Sequence, residues 1–131
     1  MMLVDTSVWI DWLRDRDTPA TRIPDALLDD GEAALAPVIL QELLQGGRDE
    51  AALRLLREQF EPLPMLMLTL ATYAEAAALY ARCRWQGITP RSPHDCLITQ
   101  LALEHQLPLL HDDRDFRALA RVAPELKLVP D

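Results

Sequence analysis

Residues 1–13 read MMLVDTSVWIDWL. A short apolar run, Met2–Val4, stops at Asp5 and gives way to Val8, Trp9, Ile10, Trp12 and Leu13 in helical spacing. Such a change of period within a few residues marks a strand feeding a helix. The switch recurs at residues 107–116, LPLLHDDRDF, where Leu107–Leu110 runs into Asp113 and a helix containing Phe116–Val122. Between them, Ala33–Ala36 leads to Pro37 and a helix carrying Val38, Leu40, Leu43 and Leu44, stopped by Gly46-Gly47.

The remaining segments fit the same alternation. Ala20–Asp30 reads as a short helix closed by Gly31, and Asp49 to Phe60 as another. Met65–Leu68 is the expected third strand, after Pro62-Leu63-Pro64. Thr69 or Thr72 caps a long alanine-rich helix from Ala71 to about Gln86, stopped by Gly87. Ser92-Pro93-His94-Asp95 fits a capping box with Pro at N1 and an acid at N3, continued by Cys96–His105. Leu126–Val129 is a last strand. Apolar strands separated by helices imply an α/β, three-layer fold: a mostly parallel central sheet of four to five strands with helices on both faces.

The chain has 131 residues, 50% hydrophobic and 26% charged, which fits a single soluble domain over residues 1–131. No apolar run reaches the ~20 residues that span a bilayer. MMLVDTSVW lacks the basic region and cleavage site of a signal peptide, so a cytoplasmic location is expected. Cys83 and Cys96 have no ligand partner at metal-binding spacing and read as small buried hydrophobes. The net charge is −8, and of thirteen basic residues only Lys127 is lysine. Bulk charge therefore does not recruit nucleic acid, and any such role rests on local arginines, on bound metal, or on both.

Four acids sit where one element changes to the next: Asp5, Glu42 in VILQELLQG, Asp95 in RSPHDCLIT and Asp113. In an open parallel sheet, ligands bind beyond the carboxyl ends of the strands, where Asp5 and Asp113 should lie. Like charges gathered there are costly unless a divalent cation neutralises them. Taken singly, each acid has a plainer explanation. Asp5 and Asp113 suit N-caps, Asp95 suits a capping box with Ser92, and Glu42 suits a solvated helix face. Carboxylates without cysteine neighbours favour Mg²⁺ or Mn²⁺ over zinc.

The segments LVDTSVWIDWL, VILQELLQGG, SPHDCLITQLALEHQLPLL and HDDRDF together resemble the PIN-domain ribonucleases, and among them the VapC toxins of toxin–antitoxin pairs. The resemblance covers nearly the whole chain, with the segments in family order. It implies that Asp5, Glu42, Asp95 and Asp113 are the site acids, with Asp115 as an auxiliary acid and Thr6 and Ser7 as supporting hydroxyls. Asp5, Asp95 and Asp113 would hold Mg²⁺ or Mn²⁺, and Glu42 would help hold it or orient the attacking water. The activity implied is RNA hydrolysis leaving 5′-phosphate and 3′-hydroxyl ends. The partners implied are an RNA substrate, a VapB-like antitoxin whose C-terminal segment blocks the site, and a second copy of the chain in a homodimer.

His111 departs from the pattern, standing where many members carry Thr or Ser. It suits packing or support at the strand end, or a contact to a carboxylate or scissile phosphate. His94 and His105 have no ligand-spaced partner and read as structural. Arg91 and Arg114, with Arg82 and Arg84, suit phosphate contacts or an ordinary solvated surface. Trp9, Trp12 and Trp85 suit core or groove packing better than base stacking. Two rivals are weaker. A receiver module needs paired acids after its first strand, and Asp5 stands alone. A nuclease-dead scaffold would not need all four acids.

Overall fold

The structure, a computed structural model, describes residues Met1–Asp131. In chain order the elements are β1 (Met2–Val4), α1 (Thr6–Leu13), α2 (Pro24–Asp30), β2 (Ala33–Ala34), α3 (Pro37–Leu44) and α4 (Glu50–Phe60). They continue with α5 (Leu70–Trp85), α6 (Pro93–His105), β3 (Leu109–Leu110), α7 (Arg114–Val122) and β4 (Leu128–Val129). The strands form one parallel sheet in the order β2-β1-β3-β4. Met65 adds a single parallel bridge to Leu35, beyond β2.

This order places the helices. Parallel crossovers are right-handed in nearly all proteins, so the direction of travel across the sheet decides which face a helix covers. From β1 to β2 and on to Met65 the chain moves one way, carrying α1 to α4. From there to β3 and β4 it moves the other way, carrying α5 to α7. The packing agrees: α1 meets α3 and α3 meets α4, while α5, α6 and α7 pack on one another. The reversal falls between β1 and β3, the position where open α/β sheets bind ligands.

The expected strands shorten to Ala33–Ala34, Leu109–Leu110 and Leu128–Val129, and three other expectations differ in kind. The strand expected over Met65–Leu68 shrinks to the Met65 bridge, although Leu66 N–H still donates to Leu35 at 2.8 Å. At the sheet edge only one side offers a partner, and Met67 is exposed. The helix expected over Ala20–Asp30 splits into a 3₁₀ turn, Ala20–Arg22, and α2, because Pro24 has no N–H to continue the first and suits N1 of the second. Ser92 caps α6 by accepting from His94 N–H, and the Asp95 side chain does not complete a capping box. The reciprocal box forms instead at α5, between Thr69 and Thr72.

The core joins Leu3, Val4, Leu109 and Leu110 of the central strands to both helical layers. On one side, Trp9 meets Trp12 and Phe60 edge to face, with ring centroids 5.4 and 5.1 Å apart. Trp9 is fully buried, as its packing assignment requires, and Trp12 Nε1 donates to Asp25 at 3.0 Å. Gly47 lets α3 turn into α4, because a Cβ there would stand 3.1 Å from the Leu53 backbone. Cys83 and Cys96 are buried free thiols, and burial pushes Cys96 up to about 12.

Phe60→Ala should lower unfolding free energy by about 3–5 kcal/mol, since it empties the site against Trp9. Leu55→Ala, on an exposed side chain, should stay within about 0.5 kcal/mol. Urea unfolding of the two variants checks this, and equal effects would contradict the packing.

Candidate active site

Five acids arrive at the switch point from both helical layers. Asp5 follows β1 and caps α1, accepting Ser7 N–H at 3.1 Å and the Ser7 hydroxyl. Glu42 comes from α3, where the Thr6 hydroxyl donates to Oε1 at 2.9 Å. Thr6 and Ser7 thus divide their tasks, one fixing Glu42 and the other Asp5. From the opposite layer, Asp95 stands in the first turn of α6. Asp113 caps α7 by accepting Asp115 N–H at 2.9 Å, and Asp115 lies in that helix's first turn.

The hydrogen bonds follow one rule. Glu42 receives protein donors only at Oε1, Asp113 only at Oδ1 and Asp115 only at Oδ2, and each keeps its second oxygen free. Asp5 accepts Ser7 at Oδ2 and also draws on the Thr6 backbone N–H. Asp95 receives no side-chain hydrogen bond at either oxygen. Oxygens of Asp95, Asp113 and Asp115 lie within 4.8 Å of one another, close enough to share one cation. Asp115, ranked from the sequence as auxiliary, therefore belongs to the tightest triad, with Asp5 and Glu42 flanking it.

Electrostatics centre this group on Asp95. Burial is the main reason its carboxyl is pushed up to about 7, and the negative charges of Asp5, Asp113, Asp115 and Glu42 push it further. Asp5 is raised to about 6, chiefly by burial, although the Ser7 hydrogen bonds pull the other way. Free oxygens, crowded like charges and hard donors fit a small divalent cation. They do not fit a soft metal, which would seek thiolate or imidazole.

Arg91, which suits a phosphate contact or an ordinary solvated surface, makes its hydrogen bonds here within the protein. Its Nη2 donates to Asp113 Oδ1 at 3.0 Å and its Nε to Asp115 Oδ2 at 3.0 Å. Arg114 is exposed at the start of α7, and Arg82 and Arg84 are exposed at the end of α5. His111 is buried under Phe116, edge to face at 5.7 Å. Its Nε2 lies 3.1 Å from Pro130 O, and its Nδ1 lies 3.0 Å from Asp113 O and 3.2 Å from the Asp113 backbone nitrogen. Burial holds its pKa below the usual value. His111 thus buttresses the Asp113 backbone from behind. His94 and His105 are exposed on α6, and Trp85 is exposed at the end of α5. Beside the acids, Ile10, Leu13, Leu43 and Leu56 line a groove of about 210 Å³ with Arg14, Gly46 and Glu42.

The raised acids set a pH dependence. Asp95 ionises near 3.8 in the unfolded chain and near 7 when folded, so the folded protein holds more protons between those values. Its contribution to stability therefore falls as pH rises through that window. Without metal, Asp95→Asn should melt higher than wild type, and its advantage should grow from about pH 5 to pH 8. Adding Mg²⁺ should raise the wild-type melting temperature more at the higher pH. Thermal melts in chelator and in Mg²⁺ measure both, and a pH-independent advantage would contradict the burial of an ionising Asp95.

Comparison with known proteins places this geometry. The model of the PIN domain family matches residues 2–122. The "VapC ribonuclease Mb1587" of Mycobacterium bovis is 34% identical over 125 residues, which cover 93% of each chain. A solved structure of VapBC2 from Rickettsia felis, bound to a DNA fragment from its promoter, superposes with a TM-score of 0.75 at 16% identity, over 97% of this chain and 96% of that one. A toxin–antitoxin complex from Klebsiella pneumoniae gives 0.69 at 18% identity, over 88% and 90%. The two structures share the fold, while the family model and the mycobacterial relative place the sequence itself. With its acids at the β1/β3 switch point, the chain belongs to the PIN domain family, within its VapC group.

Proposed function

We propose that the protein is a metal-dependent endoribonuclease and the toxin of a type II toxin–antitoxin pair. The observation that carries this reading is the convergence of Asp5, Glu42, Asp113 and Asp115 on Asp95, which itself accepts no protein hydrogen bond. A structural cap or ion pair needs no such crowding. Hydrolysis of a phosphodiester does need it, because the phosphate oxygens repel the nucleophile and the leaving alkoxide is poor.

Asp95, Asp113 and Asp115 would hold Mg²⁺ or Mn²⁺ through their free oxygens, with Asp5 and Glu42 beside them. When bound, the cation supplies charge neutralisation at the phosphate and a lowered pKa for water. The chain's own residues set the geometry. Ser7 fixes Asp5 and Thr6 fixes Glu42, so each carboxylate meets the substrate in one orientation. Glu42, held by Thr6 opposite the layer that carries Asp113 and Asp115, would help hold the cation or orient the attacking water. In-line displacement leaves a 5′-phosphate and a 3′-hydroxyl and does not consume the 2′-hydroxyl. Arg114, and the Nη1 of Arg91, which has no protein acceptor, remain for backbone phosphates.

The relatives extend the reading to partners. One is named a VapC ribonuclease, and the solved likenesses are described as VapBC and toxin–antitoxin complexes. The groove over Ile10, Leu13, Leu43 and Leu56 suits an apolar antitoxin segment that ends beside Glu42. A homodimer in the cytoplasm, where RNA and antitoxin meet it, completes the proposal.

Asp5→Asn and Asp95→Asn each replace a raised carboxyl by its neutral isostere, so both should fold as wild type. Each should lower RNA cleavage by more than about 100-fold. Products of the wild type should carry 5′-phosphates accessible to phosphatase, and chelation should abolish their formation. Cleavage at the wild-type rate by both variants, or products bearing cyclic phosphates, would overturn the assignment.

A further inference from the structure

The loop between α5 and α6 ends at Arg91, four residues before Asp95. Pro90 is buried and anchors it. Arg91 then reaches α7 three times. Its Nη2 donates to Asp113 Oδ1 at 3.0 Å, its Nε to Asp115 Oδ2 at 3.0 Å, and its backbone N–H to the same Asp115 oxygen at 3.4 Å. One residue therefore ties the start of α6, which carries Asp95, to the start of α7, which carries Asp113 and Asp115. All three donors fall on a single oxygen of each acid, and Asp113 Oδ1 also accepts Asp115 N–H. Asp113 Oδ2, Asp115 Oδ1 and both oxygens of Asp95 stay free.

A guanidinium on two acids of a metal cluster has two opposite meanings. It either competes with the cation or holds its ligands in place. The charge balance decides. Five carboxylates surround the point, so one divalent ion leaves three negative charges uncompensated, and a guanidinium has room beside it. The placement agrees, since Arg91 donates to one oxygen each of Asp113 and Asp115 and leaves the other oxygen of each without a protein donor.

We propose that Arg91 is a positioning residue for the cation cluster, a guanidinium strut that spaces Asp113 and Asp115 and registers them against Asp95. It acts through its planar fork and not through charge alone, because Nε and Nη2 each take a different carboxylate. The proposal rests on the metal-dependent reading above and adds a residue that touches neither cation nor scissile bond through its clamping atoms. Arg91 is 65% exposed at its side chain, and ion pairs that open to water add little to folding. Its substitution should therefore leave the fold intact.

The test is Mn²⁺ binding by calorimetry to the full chain, independent of cleavage. Arg91→Gln should weaken Mn²⁺ binding roughly tenfold or more, the usual effect of removing a residue that orients metal ligands. Arg91→Lys keeps the charge and loses the fork, so it should remain nearer to Arg91→Gln than to wild type. In the wild type, the Arg91 Nε–H resonance should stay protected from exchange when diamagnetic Mg²⁺ saturates the site. Equal or tighter Mn²⁺ binding by Arg91→Gln, or release of Nε–H on Mg²⁺ loading, would make Arg91 a competitor and overturn the proposal alone. Absence of saturable Mn²⁺ binding by the wild type would overturn both this proposal and the metal-dependent reading.

Discussion

Repulsion among carboxylates around Asp95 is the constraint that organises this molecule. Asp95 is pushed up to about 7 by burial and by four acidic neighbours. Folding alone would disperse such a group, because each buried like charge makes the next harder to ionise. The chain keeps it together by giving each neighbour a specific holder: Ser7 for Asp5, Thr6 for Glu42, and Arg91 for both Asp113 and Asp115. The side chains that support the site are thus as specifically placed as the acids.

The sheet makes that placement reachable. Chain travel reverses between β1 and β3, so the helical layers cover opposite faces and their residues meet only beyond the strand ends. Asp5 and Glu42 come from one side, and Asp95, Asp113 and Asp115 from the other. His111 and Phe116 back the Asp113 turn from inside the core. The functional edge and the hydrophobic core are therefore one continuous construction.

Much of this was legible in the sequence. The switch from apolar run to helical spacing at Asp5 and at Asp113 is local, and local patterns survive folding. Asp5 and Asp113 are N-caps as well as members of the cluster, as their positions in the sequence suggest. Less legible were features set by tertiary partners. Whether Met65–Leu68 forms a strand depends on a neighbouring edge, not on its own apolar content. Ser92 had the right residue three positions on for a capping box, yet the Asp95 side chain faces the other acids. Arg91 reads from the sequence as a phosphate contact or a solvated arginine, because nothing near it announces carboxylates 22 and 24 positions away.

The strands joining the two layers are only two or three residues long. A ladder that short resists sliding weakly, so the registry of the two layers depends on side chains at its margins. An ion held by Asp95, Asp113 and Asp115, and drawn to Asp5 and Glu42 across the seam, would behave as a rivet through a thin plate. It would couple the unfolding of α1 to α4 with that of α5 to α7, so the loaded protein would lose structure in one sharper transition. Ion occupancy would then govern mechanical coherence as well as chemistry.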